Sequence, residues 1–168
     1  MGLVMYNLPL VPDAFTVPKV LETDRMRLKP LTISDVVKDY EAVMESEDRL
    51  IASFVPDGDW PHGLTLEQNT IDLGWHQKEF QMRTSFAYTV VDLDETQVLG
   101  CVYIDPTRKL DYDAEITMWV RQSQAGTGLD EHLFETVEHW IAEVWPLDRP
   151  GYPGRTISIK DWRALEPV

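Results

Sequence analysis

The chain has a single cysteine, Cys101, which excludes an internal disulfide framework and any cysteine-based zinc cluster. Positive charge is also scarce: 15 Lys and Arg stand against 29 Asp and Glu, giving a formal net charge of −14. A surface of that sign repels phosphate backbones and anionic lipid heads. It argues against nucleic acid or a membrane surface as a partner and favours a cationic one, such as an amine or a basic peptide. No apolar run has the length of a spanning helix. The stretch Met1–Pro18 lacks a basic region ahead of its apolar residues and is broken by Pro9, Pro12 and Pro18, so it reads as neither signal peptide nor anchor. Its Met-Gly start lacks the Ser or Thr that myristoylation prefers. A cytoplasmic location is the expectation. Internal repeats, low-complexity blocks and a dividing linker are missing too. The expected organisation is an extended arm, residues 1–19, and one domain over residues 20–168.

What is present is a mix of helical and strand patterns. In the arm, Leu8, Leu10, Val11 and Phe15 are expected to lie against the domain. Alternation over Thr23–Leu31 predicts a first strand with Met26 and Leu28 on one face. Ser34 and Asp35 can cap a helix with Val36, Val37, Tyr40, Val43 and Met44 at helical spacing. Pro56-Asp57-Gly58 reads as a turn. A second helix is predicted from Thr65, with Thr65 and Gln68 as a capping box and Leu64, Ile71, Trp75 and Met82 on one side. Strands follow at Ser85–Leu93, Gln97–Ile104 and Ala114–Arg121. In the last of these, the fourth strand, Ala114, Ile116, Met118 and Val120 alternate with Glu115, Thr117, Trp119 and Arg121. A Gly-containing turn, Ala125–Gly128, leads into the clearest helix, striped by Leu129, Leu133, Phe134, Val137, Trp140, Ile141 and Val144. Thr156–Ile159 is a short strand candidate. The order implies an α/β fold, with a mixed, mostly antiparallel central sheet and helices on both faces.

The segment that carries chemistry is the fourth strand running through Gln122-Ser123-Gln124-Ala125-Gly126-Thr127-Gly128 into the helix at Leu129. A strand–glycine turn–helix sequence gathers unpaired backbone N–H groups at the positive end of a helix dipole, where a pyrophosphate can bind. Such a turn is also a common way simply to start a helix.

The element order, Ala114-Glu115-Ile116-x-x-Trp119-Val120 and the x-Gly-x-Gly turn resemble the GNAT acyltransferase superfamily. Leu21-Glu22-Thr23-Asp24-Arg25-Met26-Arg27-Leu28-Lys29-Pro30-Leu31, followed by Thr32-x-x-Asp35, resembles the ribosomal-protein and antibiotic acetyltransferase branch. The resemblance runs from about Leu21 to Trp145. It implies a GNAT-like fold and transfer of an acetyl group from acetyl-CoA, the cosubstrate, to an amine of a small molecule or protein. It assigns the pantetheine arm to Met118, Trp119, Val120 and Arg121, and the pyrophosphate to Ala125, Gly126, Thr127, Gly128 and Leu129. The family turn reads Gln/Arg-Gly-x-Gly-x-Gly/Ala; here Ala125 takes the polar position and Asp130 the last small one. With no Lys or Arg between Arg121 and Asp130, the Asp130 carboxylate is expected to repel a pyrophosphate and weaken CoA binding. That expectation keeps a second function open, a GNAT-like binding or dimerisation module with a weakened CoA site. Such a module could have its sheet edge covered by Thr156–Ile159, within the chain or by exchange in a homodimer.

Attack of an amine on a thioester calls for a base. Glu115, on the fourth strand, is the first candidate, and a solvated or ion-paired strand carboxylate is the alternative reading. Tyr103 could donate to the departing thiolate or orient substrate, or be a core aromatic. Asp111 and Asp113 could hold a cation, or simply line a polar turn. Tyr152 lacks the surrounding helix that the family's acid has. Cys101, inside an apolar strand, reads as a buried thiol rather than a nucleophile. His132 and His139 share a helix face without completing a metal site, and no metal is expected. His62 and His76 stand alone in sequence. Trp60 and Trp75 could line a groove or pack in the core.

Overall fold

The computed structural model describes residues 8–54 and 58–167. Pro56 and Asp57 of the expected turn, and the first seven residues of the arm, lie outside the described residues. Six strands form one sheet in sequential order: β1 (Leu21–Glu22), β2 (Arg27–Pro30), β3 (Phe86–Val91), β4 (Val98–Asp105), β5 (Ala114–Val120) and β6 (Pro150–Gly151). Neighbours are antiparallel except β5 and β6, which are parallel and joined by a helical crossover. The fourth strand of the sequence reading is therefore β5.

The helices are α1 (Val36–Glu45), α2 (Glu47–Ser53), α3 (Leu66–Met82), α4 (Leu129–Val144) and α5 (Ile159–Ala164), with 3-10 turns at Ile33–Asp35 and Gln122–Gln124. They occupy both faces of the sheet. On one face Leu129, Leu133, Val137 and Ile141 of α4 pack with Met26, Leu28, Tyr88, Val102 and Ile116. On the other, Val43 of α1, Leu50 of α2 and Leu73 of α3 pack with Ala87, Cys101 and Trp119. Because both faces are covered, β3 is buried at every position rather than at alternate ones. Gly100 lets β4 and β5 approach closely, since a Cβ there would come within 2.0 Å of the Trp119 carbonyl oxygen.

Several sequence expectations are corrected. Ser34 does not cap α1; the Asp35 carboxylate reaches back to the Thr32 N–H at 3.0 Å. Val37 faces solvent and Asp39 takes a buried place on α1 instead. On α3, Thr65 does cap, accepting from Gln68 N–H at 3.1 Å. The expected stripe fails, however: Ile71 and Met82 are about half exposed while Asn69, Leu73 and Phe80 are buried. The buried face of α3 mixes polar and apolar residues, so a search for apolar periodicity settles on the wrong side. Val144 lies outside the α4 stripe and is exposed.

Thr156–Ile159 is not a strand. β6 is instead Pro150–Gly151, and Ser158 caps the short helix α5 by accepting from Asp161 N–H at 3.0 Å. In the arm Leu8 is exposed, but Val11 and Val17 are buried, Phe15 packs on Trp145 with ring centroids 5.3 Å apart, and Leu10 N–H donates to Arg83 O.

Candidate active site

β6 pairs with β5 only at Ala114–Pro150 and Glu115–Gly151; beyond that the two segments diverge. The start of β6 is fixed by Asp113, whose carboxylate accepts from the Asp148 and Arg149 N–H groups at 2.7 and 3.0 Å. Trp162 of α5 and Tyr112 close over Gly151, leaving no room there for a Cβ. Past this anchor, β5 has a partner strand on one side only among the described residues. Arg121 N–H donates to Leu99 O at 2.8 Å. Antiparallel bonding alternates, so Glu115, Thr117 and Trp119 turn their N–H and C=O groups toward β4. Those of Met118 and Val120 face the opening. A cleft of about 290 Å³ lies there, lined in part by Glu115, Thr117, Met118, Trp119, Asp130 and Arg155.

The glycine turn stands at one end of this cleft. Gly126 and Gly128 have φ of +76° and +81°, a left-handed conformation that glycine adopts without steric cost. Their N–H groups have no partner among the described residues, and helix geometry leaves the Asp130 and Glu131 amides over as well. Two distant cations come to the turn. Arg25 donates to Thr127 O at 3.2 Å. Arg155 makes a bidentate pair with Asp130, at 2.6 and 2.8 Å, lies over the Phe134 ring and reaches Met118 O at 3.5 Å. The pair holds the Asp130 carboxyl below its ordinary range. The expected uncompensated charge at Asp130 is therefore corrected: its counter-ion comes from beyond β6, where the sequence around the turn could not reveal it.

A second cavity, of about 340 Å³, lies on the α1–α3 side of β4 and shares Phe54 and Thr117 with the cleft as walls. Tyr103 and Asp105 of β4 stand opposite Thr117 and Glu115 of β5, with all four side chains on one face of the sheet. Asp105 accepts from the Ser85 hydroxyl, and burial together with the facing Glu115 pushes its carboxyl up to about 7. Burial also raises Glu115, which accepts from the Trp162 indole and is opposed by Lys109. Burial pushes the Tyr103 hydroxyl well up, so it stays protonated; it accepts from Trp119 Nε1 at 3.3 Å. Asp39, bonded by Asn69 at 2.8 Å and close to the Cys101 thiol at 3.6 Å, is pushed up to about 6 by burial. Desolvation lowers His76, which lines the same cavity.

The residues named from sequence separate accordingly. Glu115, Met118 and Trp119 line the cleft, and Tyr103 the adjoining cavity. Ala125, Gly126, Thr127 and Gly128 form the turn, while the side chains of Leu129 and Val120 are buried in the core. The Arg121 side chain points away from the cleft, is buried, and pairs with Glu45 and with Glu41 at 3.4 Å. Cys101 is buried beside a carboxylate, and both effects push its thiol up, away from nucleophile chemistry. Tyr152 is buried against Phe134, which also raises it. His132 bonds Thr23 at 2.9 Å, and His139 lies 3.1 Å from Glu143. Trp60 lines the second cavity; Trp75 does not. His62 and His76, isolated in sequence, both line that cavity. Asp39, Asp105, Arg25 and Arg155 were missed from sequence, because only the fold brings them to the site.

No protein-family model matches the sequence, and no curated protein sequence matches it either. Solved structures do. The ribosomal-protein-S5-alanine acetyltransferase of Vibrio fischeri is 18% identical with a TM-score of 0.66, over 87% of this chain and 81% of that one. The ribosomal L7/L12 α-N-protein acetyltransferase RimL, in complex with coenzyme A, is 17% identical with a TM-score of 0.60, over 73% and 67%. The microcin C7 self-immunity acetyltransferase MccE, in complex with acetyl-CoA and AMP, is 14% identical with a TM-score of 0.61, over 79% and 72%. The chain thus has the fold of the GNAT acetyltransferases.

The buried carboxylates make a prediction about stability. Asp39 is raised to about 6 when folded, above an unfolded value of about 4, so the folded state favours its protonated form. Stability is therefore lost as pH rises from about 4 to about 6, by roughly 3 kcal/mol at most. Asp39→Asn removes that cost while keeping an acceptor for Asn69. Thermal melts are expected to show the variant gaining over the parent by about 5 °C or more at pH 7.5 and by little at pH 4.5. An equal difference at both pH values would refute the assignment.

Proposed function

We propose that the chain is an acetyl-CoA-dependent N-acetyltransferase acting on an amine. The observation that carries the reading is the junction at Thr117 and Phe54. On one side lies an open strand edge ending in a glycine turn at a helix N-terminus; on the other lies a cavity lined by carboxylates. Of the cofactor residues named from sequence, Met118, Val120, Gly126 and Gly128 support this reading, whereas Trp119 and Arg121 turn their backbone groups to β4. The Met118 and Val120 backbone groups would pair with the pantetheine arm, and the Gly126 and Gly128 amides, with Arg25 beside them, would hold the pyrophosphate. The amine would enter from the carboxylate side.

For catalysis, an ammonium in the cavity gives one proton to the Asp105–Glu115 pair, with Asp105 on the acceptor side. The neutral nitrogen attacks the thioester carbonyl carbon, forming a C–N bond as the C–S bond breaks. The departing sulfur takes the second nitrogen proton while the Tyr103 hydroxyl hydrogen-bonds to it. Tyr103 suits this role because its raised pKa keeps it a donor. The alternative of a non-catalytic module rested on Asp130, on Ala125 at the polar position of the turn and on the missing helix around Tyr152; Arg155 answers the first of these.

Calorimetry with acetyl-CoA at low salt tests the cofactor half of the proposal. The native chain is expected to bind. Arg155→Ala, which leaves Asp130 uncompensated, should weaken binding by about tenfold or more, and Asp130→Ala, which frees Arg155, should tighten it. Absence of binding at millimolar acetyl-CoA by all three proteins would leave the module reading in its place.

The catalytic half is read from pH dependence. Because the base must be deprotonated, kcat/KM should rise with pH through about 7. Asp105→Asn should lose that limb and lower kcat by about a hundredfold. A limb that survives the substitution would belong to the substrate amine and would remove Asp105 from the mechanism.

A further inference from the structure

The cavity on the α1–α3 side of β4 carries more negative charge than one acceptor amine requires. Asp39, Asp59, Asp72 and Asp105 line it, and no Lys or Arg does. None of the four forms an ion pair among the described residues. Two of them are withdrawn from solvent, where an unpaired charge is costly. No three His, Cys, Asp or Glu among the described residues come together to hold a metal ion. His76 adds an independent sign of a missing ligand, since its Nδ1 is buried with no hydrogen-bond partner and lies 3.9 Å from Glu79, too far to bond. The aromatic walls Phe54, Trp60 and Tyr103 suit an apolar, cationic body.

The carboxylates form two groups rather than one. Asp39 and Asp72 act on each other electrostatically, at the α1–α3 end. Asp105 is influenced by Glu115 and Glu79, at the end beside Thr117. They meet β4 at different points: Asp39 accepts from the Cys101 thiol at 3.6 Å, whereas Asp105 belongs to the strand itself, four residues further along on the same face, about 13 Å of backbone. Two ammonium groups joined by a short aliphatic chain could meet a carboxylate at each end.

We infer that the acceptor is an aliphatic α,ω-diamine, one amine placed at Asp105 for acetylation and the other held at Asp39 and Asp72. This rests on the acetyltransferase reading for the fate of the first amine, but the cavity's preference for two charges can be measured without cofactor.

Binding of 1,4-diaminobutane, 1,5-diaminopentane and n-butylamine to the full chain should therefore be compared by calorimetry in the absence of acetyl-CoA. The diamines are expected to bind at least about tenfold more tightly than butylamine. Asp39→Asn and, at the more accessible position, Asp72→Asn should each erase most of that preference while leaving acetyl-CoA affinity unchanged. Equal affinity for butylamine, or a preference that survives both substitutions, would overturn the inference. If the diamines bind selectively but are not acetylated, the cavity assignment stands and the acetyltransferase reading fails. If butylamine is acetylated as well as the diamines, that reading stands and this one fails.

Discussion

A strand hydrogen-bonded on one side only is costly in a folded interior, and the arrangement of this protein turns on having one. β5 runs through the middle of the packed layers, with α1–α3 side chains against one face and α4 against the other. Yet past Glu115 its outer edge has no partner strand among the described residues. Two contacts hold that edge open. Asp113 pins the start of β6, and Trp162 packs over Gly151, so the chain leaves β5 after two paired residues. Backbone N–H and C=O groups within a fold are normally satisfied; an exposed strand edge is a place where an extended chain can pair.

Charge is divided between the two sides of the opening. The cleft draws cations from three separate parts of the chain: Arg25 bonds the glycine turn, Arg155 pairs with Asp130, and Arg49 lines the cleft wall. The cavity on the α1–α3 side gathers carboxylates, with no Lys or Arg among the described residues that line it. A molecule with net charge −14 therefore still presents a local positive field where an anionic cosubstrate would enter. The Asp130 carboxylate, which in isolation opposes that field, is tied to Arg155, so its effect on an anion depends on whether that pair holds.

Much of the fold was legible in the sequence because it follows from periodicity. β5 and the α4 stripe come from patterns of two and of 3.6 residues, β3 and β4 from two apolar runs joined by an acidic turn, and the GNAT resemblance from the β5–turn–α4 segment. The failures share a cause. α3 turns Asn69 and His76 inward beside Leu73, so its functional face is not its apolar face, and periodicity selects Ile71 and Met82. β6 has only two residues and is defined by Asp113 and Trp162 rather than by its own pattern. Asp105 passed unnoticed because a carboxylate at the end of a strand looks like an ordinary turn residue. Only the register that sets it opposite Glu115 gives it a role. Arg155 lies 25 residues from Asp130, and nothing in either segment alone signals their pairing.

The central claim, that the open edge of β5 receives the extended arm of acetyl-CoA, is tested most directly by residue-resolved hydrogen exchange. The Met118 and Val120 amides face the cleft, whereas those of Thr117 and Trp119 are bonded to β4. Saturating acetyl-CoA should slow exchange at Met118 and Val120, and at Gly126 and Gly128 in the turn, with little change at Thr117 and Trp119. Protection spread evenly over β5, or none at Met118 and Val120, would mean that the ligand does not lie along this edge.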